Sequence, residues 1–213
     1  MASEVDICNL ALSHLGDRAT VASLDPPEGS AQAELCARFY PIARDSLLQM
    51  HGWNFATKRT TLAQLSTGPT GWAYSYARPQ DALDVFDIQM PDTQDYVLET
   101  QPYLCETELD GDEVIYTNVQ NAVCRYVARI EDTTKFSPLF VMSLSWHLAS
   151  MLAGPVIKGD VGSAEAKRCS QMAQFYLAQA AQKDAQQRHV KHHHSASHIV
   201  GADRTPCETP WGR

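Results

Sequence analysis

The sequence predicts an α+β protein: a helical bundle of long antiparallel helices with an inserted antiparallel β domain and an extended C-terminal tail. Three observations predict it. Apolar residues recur at helical spacing near both ends of the chain, in residues 4–50 and 139–189. Between residues 57 and 130 the period changes to two. Beyond residue 190 periodicity fades into histidines and prolines. The expected division is a helical body (1–56 and 137–190), a β domain (57–136) and a C-terminal arm (191–213).

Ser3 followed by Glu4 and Asp6 reads as a capped helix start with acid in the first turn. Ile7, Ala11, Leu12 and Leu15 form its stripe and Gly16 ends it. Pro26 and Pro27 keep residues 17–29 from being helical, with Val21 and Leu24 as inward contacts. Residues 34–56, ELCARFYPIARDSLLQMHGWNFA, then open as an amphipathic helix that stops at His51-Gly52. Leu35, Phe39, Ala43, Leu47 and Met50 share a face. Pro41 predicts a kink, and Gly52 a left-handed terminus. Trp53 and Phe55 follow directly and read as a structural anchor to the next element; residue type alone favours core packing for both.

The β candidates are residues 57–65, the alternating aromatics Trp72, Tyr74 and Tyr76, the alternation Phe86, Ile88 and Met90, and then 96–100, 103–106 and 113–117. Asp110-Gly111 joins the last two as a hairpin. Cys124, Tyr126, Ala128 and Ile130 share one face of a final strand. Helix resumes at Ser137-Pro138, a cap followed by proline at the first helical position. Residues 139–153 are apolar nearly all round, which predicts a buried helix stopping at Gly154-Pro155. Ser143, His147 and Ser150 share one face of it as candidate subunit-packing residues. A second long helix is expected over 163–189, with Cys169, Met172, Phe175, Tyr176 and Ala180 as its seam.

A chain of 213 residues with 44% hydrophobic and 20% charged residues holds a sizeable core. The net charge of −8 argues against a general nucleic-acid binder, which presents a basic face. It suits a surface past which DNA slides. Residues 183–213 carry five Lys/Arg and three Asp/Glu, so that end is +2 and the remainder −10. No basic-then-apolar stretch opens the sequence, and no apolar run reaches the roughly 20 residues of a membrane span, which predicts a soluble protein with no membrane partner. The six cysteines form no CxxC pair, and several lie on apolar faces, so buried free thiols are expected.

Candidate chemistry is sparse, and neither catalytic residues nor a cofactor are predicted. His189, His192, His193, His194 and His198 supply imidazoles, but a metal centre needs ligands spaced on rigid elements. Glu106, Glu108, Asp110, Asp112 and Glu113 lack the full calcium-loop pattern and read as a solvated hairpin tip. Gly154 and Gly159 have phosphate-loop spacing, but Asp160 stands where lysine is required. Neither G-x-S-x-G nor H-E-x-x-H occurs.

The order of segments resembles the head–tail adaptor proteins of short-tailed bacteriophages, the family of tail tubular protein A. The residues that carry the resemblance are 7–63, in which a helix ends in Leu-Gly, a loop carries Ser-Leu, and a long helix leads to Trp-x-Phe-Ala. WAYSYARPQDALDVFDI (72–88), RYVARIEDTTKFSPLFVMSLSWHLASMLAGPV (125–156) and the closing helix extend it over most of the chain. The resemblance implies a non-enzymatic virion component of the tail or neck, assembled in the host cytoplasm. It implies a homo-oligomeric ring, usually of twelve copies, below the portal protein. Such a ring extends the DNA channel without sequence-specific binding and offers a platform to the tail nozzle and to tail fibres or spikes. The candidate portal-docking arm is then His198, Ile199, Val200, Arg204, Trp211 and Arg213. Two other classes stay open: a tail-completion or stopper protein, and a metal-assisted hydrolase using the C-terminal histidines.

Overall fold

Ser3 sets the first element. Its hydroxyl accepts from the Asp6 N–H at 3.1 Å while the Asp6 carboxylate accepts from the Ser3 N–H at 2.8 Å, a reciprocal capping box. Helix α1 (Glu4–His14) follows and buries Ile7, Cys8, Ala11 and Leu12. Ser30 caps α2 (Ala31–Gln49), which runs through Pro41 as one helix. Ser137 caps α3 (Pro138–Ile157), with proline in its first turn as expected. Lys158 and Gly159, both at positive φ, turn the chain straight into α4 (Gly159–Ala185). The computed structural model describes residues 2–18, 20–65, 69, 71–91, 101–108 and 110–187. The strand candidate 96–100 and the C-terminal arm lie outside them.

Among the described residues, six strands form two antiparallel sheets. One has the order β1 (Thr57–Thr61), β6 (Val123–Ala128), β3 (Ala82–Gln89). The other has the order β2 (Tyr74–Ala77), β5 (Glu113–Thr117), β4 (Tyr103–Thr107). The β4–β5 hairpin closes at Asp110-Gly111, with Gly111 at φ 89°, a conformation that favours glycine. The sheets are stitched together by Gln101 N–H to Ile88 O (3.2 Å) and Tyr103 Oη to Val85 O (2.8 Å). One continuous core joins both sheets and the helices.

The fold is mixed α+β, but the expected bundle of long antiparallel helices does not form. The helices have 11, 19, 20 and 27 residues, and only α3 and α4 pack lengthwise as a hairpin. α2 packs mainly on α3 and touches α1, β3 and β6 to a smaller, similar extent. The physical reason is that an amphipathic stripe shows that a helix has a buried face, not what covers it. A sheet covers part of the α2 stripe.

Several local expectations also change. The α2 stripe is Ala33, Cys36, Tyr40, Ala43, Arg44, Leu47 and Leu48, while Met50 is 56% exposed. Gly52 is not left-handed; Met50 caps the helix in an ordinary helical conformation. α3 continues through Gly154-Pro155 to Ile157. α4 starts earlier and buries Gly162, Cys169, Ala173, Ala180 and Asp184, leaving Phe175 exposed. That stripe is small because α3 comes close: a Cβ on Gly162 would stand 3.0 Å from Ala153 O. α3 is long and apolar enough to span a membrane by length and composition, yet it sits centrally, against α1, α2 and α4.

Replacing Gly162 by valine should therefore force α3 and α4 apart and lower stability by about 1–3 kcal/mol, the usual range for overpacking. Urea unfolding of the purified chain measures it; a variant as stable as wild type would show that the helix contact is not tight.

Candidate functional site

The residues most open to a functional reading lie where α2 hands the chain to β1. Trp53 is fully buried, and its Nε1–H donates to Leu47 O at 3.0 Å. This bond also satisfies a carbonyl in the last turn of α2. The Trp53 ring meets Phe140 of α3 edge-on at 5.0 Å, and Phe55 meets the same ring at 5.2 Å. Phe136 completes the aromatic group, 4.8 Å from Phe140 and 5.8 Å from Phe55. Both anchor aromatics therefore look inward, onto the start of α3.

A second bond set closes the joint from the other side. The Asn54 N–H donates to both carboxylate oxygens of Asp184, at 3.1 and 3.0 Å. Asn54 Nδ2 donates to Asp184 O at 2.7 Å, and His51 Nε2 lies 3.4 Å from Asp184 Oδ2. Asp184 is buried in the last turn of α4. Sequence reasoning missed it, although a signal existed. A carboxylate in the last turn opposes the helix dipole, so its presence there asks for a donor from elsewhere. Beside the joint is a cleft of about 400 Å³, lined among others by Phe55, Lys135, Leu139, Lys183 and Gln187. Gln187 is the last described residue before the C-terminal segment.

The candidate subunit-packing residues are engaged within the chain. Ser143 is buried and donates to Ala173 O of α4 at 3.2 Å. His147 Nε2 is hydrogen-bonded to Ser46 Oγ of α2 at 3.0 Å, and burial pushes its pKa down. Ser150 donates to His147 O at 2.6 Å. This face thus joins α3 to α2 and α4. Arm residues His198, Ile199, Val200, Arg204, Trp211 and Arg213 lie outside the described residues, as do His189, His192, His193 and His194.

Of the acidic hairpin group, Glu113 pairs with Arg78 at 2.6 Å and Glu108 accepts from Tyr116 Oη at 3.0 Å. These contacts stiffen the hairpin. Gly154 is inside α3, so the Gly154–Gly159 spacing forms no phosphate loop. Among the described residues no three His, Cys, Asp or Glu side chains converge as metal ligands. Cys8, Cys36, Cys124 and Cys169 are buried free thiols, and Cys105 is an exposed one.

One further cluster ties α1 to the α3–α4 hairpin. The His14 ring stacks on Trp146 at 3.6 Å, and His14 Nε2 is hydrogen-bonded to Ser145 Oγ at 3.1 Å. Arg168 Nη2 donates to His14 O at 3.1 Å, lies over the Trp146 ring and pairs with Glu165. Burial first, and the Arg168 charge second, lower the His14 pKa from 6.5 to about 4.

The chain matches no family model and no curated protein.

The His14 cluster fixes the sign of a pH effect. Unfolded, His14 takes up its proton near pH 6.5; folded, only near pH 4. Its contribution to stability is complete above pH 6.5 and is lost as pH falls toward 4. His147 acts in the same direction. His14→Phe keeps a ring against Trp146 but removes the proton site, so its stability should fall less over that window than wild type. Denaturant titrations at several pH values measure it, and parallel curves for the two proteins would contradict the assignment.

Proposed function

We propose that this chain is a structural virion protein, a head-to-tail adaptor that forms a ring below the portal. The observation that carries the reading is residues 34–56. This stretch holds much of the resemblance to phage adaptors, and it is also a joint fastened from two sides. Trp53 ties it to α2 and α3, and Asp184 ties it to α4. A ring that carries a tail must hold its sheets at a fixed angle to its helices, and a joint closed on both sides does so. The negative charge suits a channel wall, because it repels DNA instead of holding it. Partners on this reading are identical subunits, usually twelve, the portal protein, and the tail nozzle with fibres or spikes. DNA passes without sequence readout. The arm at residues 191–213, bearing four of the chain's eight histidines and Trp211, docks on the portal.

The test is a binding assay of the full chain with purified portal rings and, separately, with purified tail tubes of short-tailed phages. Portal binding is expected. Deleting residues 191–213 should leave circular dichroism and thermal unfolding of the body unchanged and abolish portal binding. A truncated chain that still binds would overturn the arm assignment. Binding to the tube and not to the portal would instead make the protein a stopper.

A further inference from the structure

α4 has a buried face and an unused one. Gly162, Cys169, Ala173, Ala180 and Asp184 lie against α3. Half a turn away, Gln171, Gln174, Phe175, Ala178 and Gln182 are all exposed, at spacings of three, four, seven and eleven, and so form one continuous face. Phe175 is 55% exposed and meets Tyr176 edge-on at 5.5 Å, which holds the ring in place. No charged residue occurs between Arg168 and Lys183. That is unusual for a face in water, where helices of such proteins carry acids and lysines.

We infer that this uncharged face of α4 is the contact for a second copy of the same chain. Charge selects the occupant. Two copies that each carry −8 repel one another over most of their surfaces. The Gln171–Gln182 face contributes nothing to that repulsion, and glutamines can bond to a neighbour without an opposite charge. A central aromatic in a ring of neutral polar side chains is also the composition of an interface core, where charge is depleted. A basic partner would need acids here, and an acidic one lysines.

The inference rests on the ring reading in one respect, the direction of association. A closed ring of more than two copies needs two different faces that meet head to tail. Ile42 and Met50 of α2, 55% and 56% exposed, are the counter-face. α2 and α4 both pack on α3 but not on each other along their lengths, so the two faces belong to different elements of one copy.

The test is sedimentation velocity of the full chain over a concentration series. Wild type is expected to associate. Phe175→Glu and Ala178→Glu each put a charge on an exposed site, so helix content should be unchanged. Both should raise the concentration for half-association by about tenfold or more, the scale of a central interface contact. Ile42→Glu should do the same, whereas Leu104→Glu, a charge on an exposed residue of β4, should leave association as in wild type. A wild-type chain that stays monomeric throughout, or Phe175→Glu and Ala178→Glu chains that associate normally, would overturn the contact. Normal association of Ile42→Glu would overturn the head-to-tail pairing. Portal binding is read separately: a chain that associates through α4 but ignores portal rings keeps this contact and loses the adaptor reading.

Discussion

The joint between Asn54 and Asp184 is the constraint on which the arrangement of the molecule depends. A carboxylate in the last turn of a helix faces the negative end of the dipole and is buried at a cost. Here the cost is offset by the Asn54 N–H, which donates to both oxygens, and by the Asn54 side chain, which caps the Asp184 carbonyl. Removing either partner would leave a buried polar group unmatched, a loss larger than one hydrogen bond. The contact spans most of the sequence, so it forms only when α2, β1 and the α3–α4 hairpin are all in place. Trp53 reinforces it from the opposite side by filling the space between α2 and Phe140.

α3 is the hub around which this joint closes. It touches α1, α2 and α4, and it achieves this with few large polar groups, bonding its serines and histidine to neighbouring elements. Its approach to α4 is made possible by small residues, Gly162 and Ala173 among them. A helix that packs along one narrow stripe of small residues leaves most of its girth in solvent. The neutral glutamine and phenylalanine face of α4 is the consequence, and it is the face proposed above for self-contact.

Local signals in the sequence were read accurately where the physics is local. Ser3 with Asp6, Ser137 with Pro138, and Asp110-Gly111 each act within a few residues, and each marks the boundary it predicts. Face assignments were less secure, because they depend on distant partners. Met50 and Phe175 belong to apolar patterns in the sequence, yet both are exposed: the α2 stripe is centred on Ala43 and Leu47, and the α4 stripe on small residues facing α3. Pro155 reads as a stop, but the turn is made at Lys158 and Gly159. Asp184 signals the need for a donor but not which one, since its partner lies 130 residues away. The same limit applies to Ser143 and His147, whose shared face fitted an outside contact as well as an inside one until α2 and α4 were seen to cover it.

The proposed function is architectural: it rests on a joint that holds sheets to helices and on a helix face free of charge. Its central claim is that residues 53–57 and the end of α4 form one unit with the core. Native-state hydrogen exchange tests this most directly. The amides of Trp53, Asn54 and Thr57 are bonded to His51 O, Asp184 and Trp53 O respectively. The account predicts that the Asn54 amide opens only with global unfolding, at the same free energy as the amides in the middle of α3. Exchange of Asn54 at the rate of an open loop, with α3 still protected, would contradict it.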